Sequence, residues 1–240
     1  MTMREQADQP MLGTCLYCHT ELERRAMTKH LSACPARRAA IEQAEQQNIP
    51  TEPLYHLFVE DAHDPYFWLH LEMRGSSTLK ELDNYLRAIW LECCNHLSEF
   101  YIGGWQGKEL PKSRTVRQAL RKGDQILHIY DYGDTSETRI TVVSVRESKP
   151  TTPHPIVLMA RNRAPDYRCT ECGAPAVWWC WECLAEIGEM FCYCEACGRT
   201  HEHEYYGSGD EESAPEWAMP LVNSPRMGMC GYTGPADPPY

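Results

Sequence analysis

Alternating apolar and polar residues predict a sheet in the middle of the chain. PLYHLFVED (53–61) and PYFWLHLEM (65–73) alternate in this way around the turn-rich residues 61–64, which is typical of a β-hairpin. QILHIYDYGD (125–134) and TRITVVSV (138–145) predict a second hairpin. EFYIGG (99–104) predicts a short strand that ends at glycine.

Helical periodicity interrupts these strands. Thr78 and Glu81 form a capping-box pattern, followed by apolar residues spaced three or four apart at Leu79, Leu82, Leu86, Ile89 and Cys93. TVRQALRKG (115–123) predicts a short helix before a glycine cap. Residues 53–164 are therefore predicted to form an α+β core domain, a mixed or antiparallel sheet with helices on one face. Cys93 and Cys94 are adjacent on the predicted helix, so we expect core thiols that do not share a metal.

The N-terminal segment 11–35 has the ligand spacing of a zinc finger. Cys15 and Cys18 form a C-x2-C knuckle, and His30 and Cys34 follow four residues apart on a predicted helix. Thiolate and imidazole groups are the usual ligands of tetrahedral zinc, so a C2HC finger is predicted. Residues 36–52 are rich in Ala, Gln and Glu without an apolar stripe, which indicates a linker or helical extension.

Residues 165–206, called here the cysteine-rich module, contain more potential ligands than one ion can bind. If successive pairs alternate between two ions, one set is Cys169, Cys172, Cys194 and Cys197, and the other is Cys180, Cys183, His201 and His203. In the simpler alternative Cys169, Cys172, Cys180 and Cys183 hold one ion, and Cys192 could replace Cys194. Residues 207–240 are predicted to form an acidic loop and a Pro- and Gly-rich tail.

Composition supports metal binding over disulfides. The chain of 240 residues has 13 cysteines, and MTMREQADQPML contains no apolar signal segment. We therefore expect a cytoplasmic protein, where thiols stay reduced, and about three bound zinc ions. The longest apolar run, 156–160, is far too short to span a membrane.

The net charge of -11 argues against coating nucleic acid by bulk attraction. Two segments are nevertheless basic: 21–40 has five bases against two acids, and 108–122 has six against one. DNA or RNA contact is predicted through these local patches. The candidate residues are Arg24, Arg25, Lys29, Lys112, Arg114, Arg117, Arg121 and Lys122.

Two alternatives stay open at this stage. The aromatic cysteine-rich module would also suit a protein partner, giving a scaffold without nucleic-acid contact. Asp131 and Asp134, with Glu137 nearby, could instead hold a divalent metal in an enzyme. Turn carboxylates are common for structural reasons, and the chain has no recognised nucleophile or phosphate-binding motif. No catalytic residue is therefore assigned.

Three motifs carry a family resemblance: HLSEFYIGG (96–104), YDYGD (130–134) and NSPRMGMCGYTG (223–234). They resemble the plasmid pRiA4b ORF-3-like family, whose members are often described as passenger proteins of insertion elements and sometimes as resolvases. The resemblance covers most of 53–234 and implies an α+β fold and an association with mobile DNA, without an activity. Ser136 and Thr138 stand where the family typically has Trp and His, and the N-terminal finger is an addition to the family core.

Overall fold

The computed structural model describes residues 11–203 and 214–240; the predicted acidic residues 210–212 lie outside them. Antiparallel strands dominate, as the predicted α+β fold requires. The large sheet has nine strands in the order β2-β1-β9-β4-β3-β8-β7-β5-β6. Their bounds are β1 Leu12–Cys15, β2 Glu21–Glu23, β3 Glu52–Asp61, β4 Trp68–Arg74, β5 Ser98–Ile102, β6 Lys108–Leu110, β7 Gln125–Tyr130, β8 Ser136–Ser148 and β9 Ile156–Asn162.

A second sheet of three short antiparallel strands lies in the cysteine-rich module and the tail. Its strands are β10 Trp178–Cys180, β11 Phe191–Tyr193 and β12 Ala218–Pro220, in the order β11-β10-β12. The helices are α1 Arg24–Ala33, α2 Pro35–Glu45, α3 Leu79–Leu86, α4 Val116–Ala119, α5 Trp181–Ile187 and α6 Glu195–Gly198. Within the described ranges, no helix has the length and apolar character needed to cross a membrane.

Both predicted hairpins are confirmed. β3 pairs with β4 so that Leu57 faces Leu71, and β7 pairs with β8 so that Ile126 faces Ile140. These four side chains are buried in the main core. The core therefore forms on the sheet face that the alternating pattern marks as apolar.

The helix predicted through Cys93 ends earlier. α3 begins at the predicted capping box, with Thr78 and Glu81 bonded reciprocally, but Arg87–Leu91 forms a wider π-helical turn and Glu92 is extended. The Arg87 guanidinium bonds Glu92 and the His96 carbonyl and lies over the Tyr130 ring. These contacts lead the chain out of the helix before Cys93, so that prediction was wrong.

The N-terminal segment continues the main sheet. β1 pairs with β9, with Cys15 opposite Ala160. Helix α1 buries Met27 and Leu31 in a small cluster that also contains Trp68, because residues four apart share one helix face. The metal-ligand segment is therefore packed on the core sheet.

Candidate metal centres and a buried arginine network

The four predicted finger ligands converge. Cys15 ends β1, Cys18 lies in the following turn, and His30 and Cys34 come from the end of α1. Their ligand atoms all lie within 4.8 Å of one another, and Cys18 Sγ is 3.3 Å from His30 Nε2. Bond lengths to tetrahedral zinc place two ligand atoms about 3.3 to 3.8 Å apart, so these residues fit that ion.

The finger thiols differ in how readily they ionise. The hydrogen bond with the Thr20 side chain lowers the pKa of Cys18 to about 6, whereas burial raises the pKa of Cys15 to about 11. Cys18 is thus a ready first thiolate ligand. The buried thiols need a cation to offset the cost of a charge in the apolar cluster.

The cysteine-rich module contains two further convergent sets. Cys169, Cys172, Cys194 and Cys197 lie within 4.8 Å of one another, and so do Cys180, Cys183, His201 and His203. Within these sets, Cys172 Sγ lies 3.6 Å from Cys194 Sγ, and Cys183 Sγ lies 3.4 Å from His201 Nε2. The structure thus groups the residues in the alternating order.

Backbone amides donate to ligand sulfurs in both sets. Cys183 N–H points at Cys180 Sγ, and Cys197 N–H points at Cys194 Sγ. Burial raises the pKa of the Cys169 thiol, but amide bonds such as that of Cys194 outweigh it and bring the pKa to about 6. The local turns therefore orient sulfur lone pairs and donate to them. Cys192, the alternative ligand, is instead buried among apolar side chains including Trp179 and Met190.

Glu182 is a supporting residue that sequence reasoning missed. It is buried, and its Oε2 lies 3.3 Å from His203 Nδ1, while His203 Nε2 faces Cys180 Sγ at 3.1 Å. A carboxylate behind a ligating imidazole fixes the ring and raises its basicity. Its position inside the C-W-E-C knuckle was the available signal.

Replacing this carboxylate is expected to weaken metal binding without removing a ligand. Glu182→Gln should lower the zinc affinity of the second set about 10- to 100-fold, as other outer-shell losses do. Competition with a chromophoric chelator measures the affinity. Glu195→Gln is the matched control, because that exposed carboxylate pairs with Arg199 in the same module. Equal affinities for the two variants would contradict the role of Glu182.

The predicted basic residues do not form one free surface. Lys112 points inward, with its Nζ 3.3 Å from the buried Asp83 carboxylate, and Arg24 pairs with Glu60 and lies over Phe58. Arg114 donates to the Gln118 carbonyl. The exposed remainder comprises Arg25, Lys29, Arg117, Arg121 and Lys122.

The motifs YDYGD and NSPRMGMCGYTG meet around one buried arginine. Arg226, with no exposed surface, bonds Asp131 at 2.7 Å and Ser136 Oγ at 2.8 Å and lies 4.9 Å from the centre of the Tyr130 ring. Ser136, one of the two departures from the family pattern, thus has a role in this network. Asp131 is committed to an ion pair.

Burial opposes ionisation of the nearby Cys93 thiol, but hydrogen bonds from Arg226 and Tyr130 lower its pKa below the usual value.

Glu137, the third carboxylate of the enzyme alternative, accepts a bond from Trp105 Nε1 at 2.8 Å. Asp131 and Glu137 are therefore engaged in structural contacts, while the exposed Asp134 carboxylate lies within 4.8 Å of the ligand atoms of Asp131 and Cys230.

The described structure is an α+β protein with several Cys/His clusters compatible with zinc. Residues 56–174 match the family model described as Plasmid pRiA4b ORF-3-like protein, which supports the predicted family. The match includes the motifs at 96–104 and 130–134 but not the tail motif at 223–234. The match does not include the N-terminal finger segment. No curated protein matches the chain.

A crystal structure is also similar, that of MM3350, a protein of unknown function from Methanosarcina mazei Go1. The similarity covers 51% of this chain and 75% of that chain, at 18% identity and a TM-score of 0.41.

Proposed function

We propose that the protein is a non-enzymatic, zinc-stabilised binding protein of the plasmid-associated family. The observation that carries this proposal is the convergence of three predicted sets of four Cys and His ligands. Four protein ligands close the coordination of zinc, as in structural sites, whereas catalytic zinc keeps a position for water. The ions would stabilise the finger and the cysteine-rich module as recognition units.

Nucleic acid is the proposed partner, in keeping with the mobile-element association that the resemblance implies. Arg117, Arg121 and Lys122 are exposed on and just after α4, although the Arg121 guanidinium also donates to the Arg117 and Leu120 carbonyls. The nearby bases Arg114 and Lys112 bind the chain itself. Such a local patch would contact phosphates in spite of the acidic net charge. The contribution is electrostatic, so affinity should be strongest at low salt.

Binding to duplex DNA and to single-stranded RNA, measured by fluorescence anisotropy from about 50 to 200 mM salt, tests this partner. The triple variant Arg117→Gln, Arg121→Gln, Lys122→Gln is expected to reduce the slope of log affinity against log salt by about 3. Arg168→Gln, an exposed arginine outside both basic segments, is the control and should leave the slope unchanged. No salt-dependent binding below about 100 mM salt would exclude the nucleic-acid partner.

A protein partner is the second candidate. It is favoured by Val177 and Ile187, which are exposed apolar side chains of the cysteine-rich module, the latter at 61%. Ile187 lies between the exposed acidic residues Glu186 and Glu189, and apolar and acidic groups together suit a partner with basic and aromatic groups. A scaffold of this kind would retain its partner when the basic patch is neutralised.

A further inference from the structure

A fourth group of cysteine and histidine side chains lies where the three family-like motifs meet. Cys93, Cys94 and His96 follow the π-helical turn after α3, and Cys230 belongs to the tail. Their ligand atoms lie within 4.8 Å of one another. Cys94 Sγ is 4.0 Å from Cys230 Sγ, which is 3.5 Å from His96 Nε2. Ligands on tetrahedral zinc should lie about 3.8 Å apart for two sulfurs and about 3.6 Å apart for sulfur and nitrogen.

The expectation that adjacent Cys93 and Cys94 cannot share an ion does not hold for this geometry. That expectation requires both residues to be on a helix, where successive side chains point about 100° apart. Glu92 is extended, and the Sγ atoms of Cys93 and Cys94 lie within 4.8 Å of each other. Both sulfurs can therefore contact one ion. The fourth ligand comes from a segment 136 residues away from Cys94, so no sequence spacing could reveal the site.

The backbone is unusual around this group. Asn95, Asp131 and Cys230 have φ values of 58°, 65° and 48°. Residues other than glycine rarely adopt positive φ values. Among the described residues they are three of four such cases. Asn95 separates two of the ligands, Cys230 is itself a ligand, and Asp131 Oδ2 lies 3.4 Å from His96 Nε2. Rare conformations of this kind concentrate at functional sites.

A compensating charge lies beside the sulfurs. Three thiolates around one divalent cation leave a net negative charge, and Arg226 Nη2 is 3.3 Å from Cys93 Sγ. The Tyr130 hydroxyl lies 3.7 Å from the same sulfur. Groups that donate to ligating sulfurs stabilise and orient them. Arg226 and Tyr130 of the buried arginine network therefore lie directly beside the ligand sulfur of Cys93.

We propose that Cys93, Cys94, His96 and Cys230 bind a further zinc ion that fastens the C-terminal tail to the core sheet. The donor set of three thiolates and one imidazole is that of a structural zinc site. Cys94 is exposed and the other three ligands are half-buried, whereas Cys15 and Cys34 of the finger are buried. A chelator therefore reaches this ion before the ion in the finger.

Native mass spectrometry of the full chain, purified under reducing conditions and saturated with zinc, tests the site. The wild type is expected to bind four ions, one for each convergent set of four ligands. Cys94→Ser and Cys230→Ser should each bind one fewer and should show faster amide exchange over residues 226–232. Cys192→Ala is the matched control, since this buried thiol lies among apolar side chains, and it should keep the wild-type count.

Two outcomes would overturn the proposal. One is an ion count that is the same in the wild type, Cys94→Ser and Cys230→Ser. The other is a wild-type chain of lower ion count whose mass is smaller by two hydrogen atoms until reduction, a difference that is absent from Cys94→Ser and Cys230→Ser. That pattern identifies a Cys94–Cys230 disulfide. Cys18→Ser, Cys172→Ser and Cys183→Ser each remove a ligand from one of the other sets, so their counts test the proposed function separately.

Discussion

The cysteine-rich module is expected to unfold when a chelator removes its ions, while the nine-stranded sheet stays folded. Each strand of the module's sheet has only three residues, and its buried clusters are small. An apolar core of this size cannot stabilise a fold unaided. Binding of a structural zinc ion contributes about 10 to 16 kcal/mol, so its loss exceeds the stability that the module can retain.

Tryptophan fluorescence is the natural measurement, because Trp178, Trp179, Trp181 and Trp217 lie in or against the module. Removal of metal should shift their emission to the red and expose the amides of β10, and added zinc should reverse both changes. Amides of β3 and β8, in the middle of the large sheet, serve as the internal control. Unchanged emission after complete metal removal would show that the module folds without metal.

The finger should respond less strongly to the same treatment. Its helix α1 keeps Met27 and Leu31 against Trp68, and β1 keeps its ladder with β9. These contacts remain when the ion is lost, whereas the module has no comparable sheet to support it. Chelation is therefore expected to unfold the cysteine-rich module, whose fold depends on its ions, and to leave the finger segment packed on the core sheet.

Features that depend on residues close together in the sequence could be predicted, whereas features that depend on distant residues could not. The finger ligands and the capping box of α3 depend on spacings of a few residues, so pattern reasoning located them. The two hairpins follow from alternation on neighbouring segments. β9 received no prediction, because an apolar run without alternation does not distinguish a buried strand from a helix segment. Its place between β1 and β4 depends on pairings distant in sequence.

The tail site and the basic patch show the same limit. Arg226 meets Asp131 across 95 residues, and no local signal marks either as a partner. Lys112 was predicted to face phosphates because it lies in a basic run, yet the structure pairs it with Asp83. A count of charges along the chain cannot show which of them the fold turns inward.

Replacing the buried arginine is expected to be among the most damaging single substitutions in the core. Arg226→Met removes the cation from a pair with side-chain exposures of 0% and 6% and leaves the Asp131 carboxylate buried. Loss of one partner of a buried pair costs about 3 to 5 kcal/mol, because the remaining charge is uncompensated. Urea unfolding of zinc-saturated protein measures this loss.

Arg25→Met provides the matched comparison. Arg25 also pairs with a carboxylate, Glu23, but its side chain is 85% exposed, and exposed pairs contribute about 0 to 1 kcal/mol. Adding Asp131→Asn to Arg226→Met should recover part of the lost stability, because the double variant no longer has an unpaired, buried Asp131 carboxylate. If Arg226→Met cost no more than Arg25→Met, the network would not fasten the tail, and the tail would depend on its other contacts, such as the hydrogen bond from Ser224 to the Trp90 carbonyl.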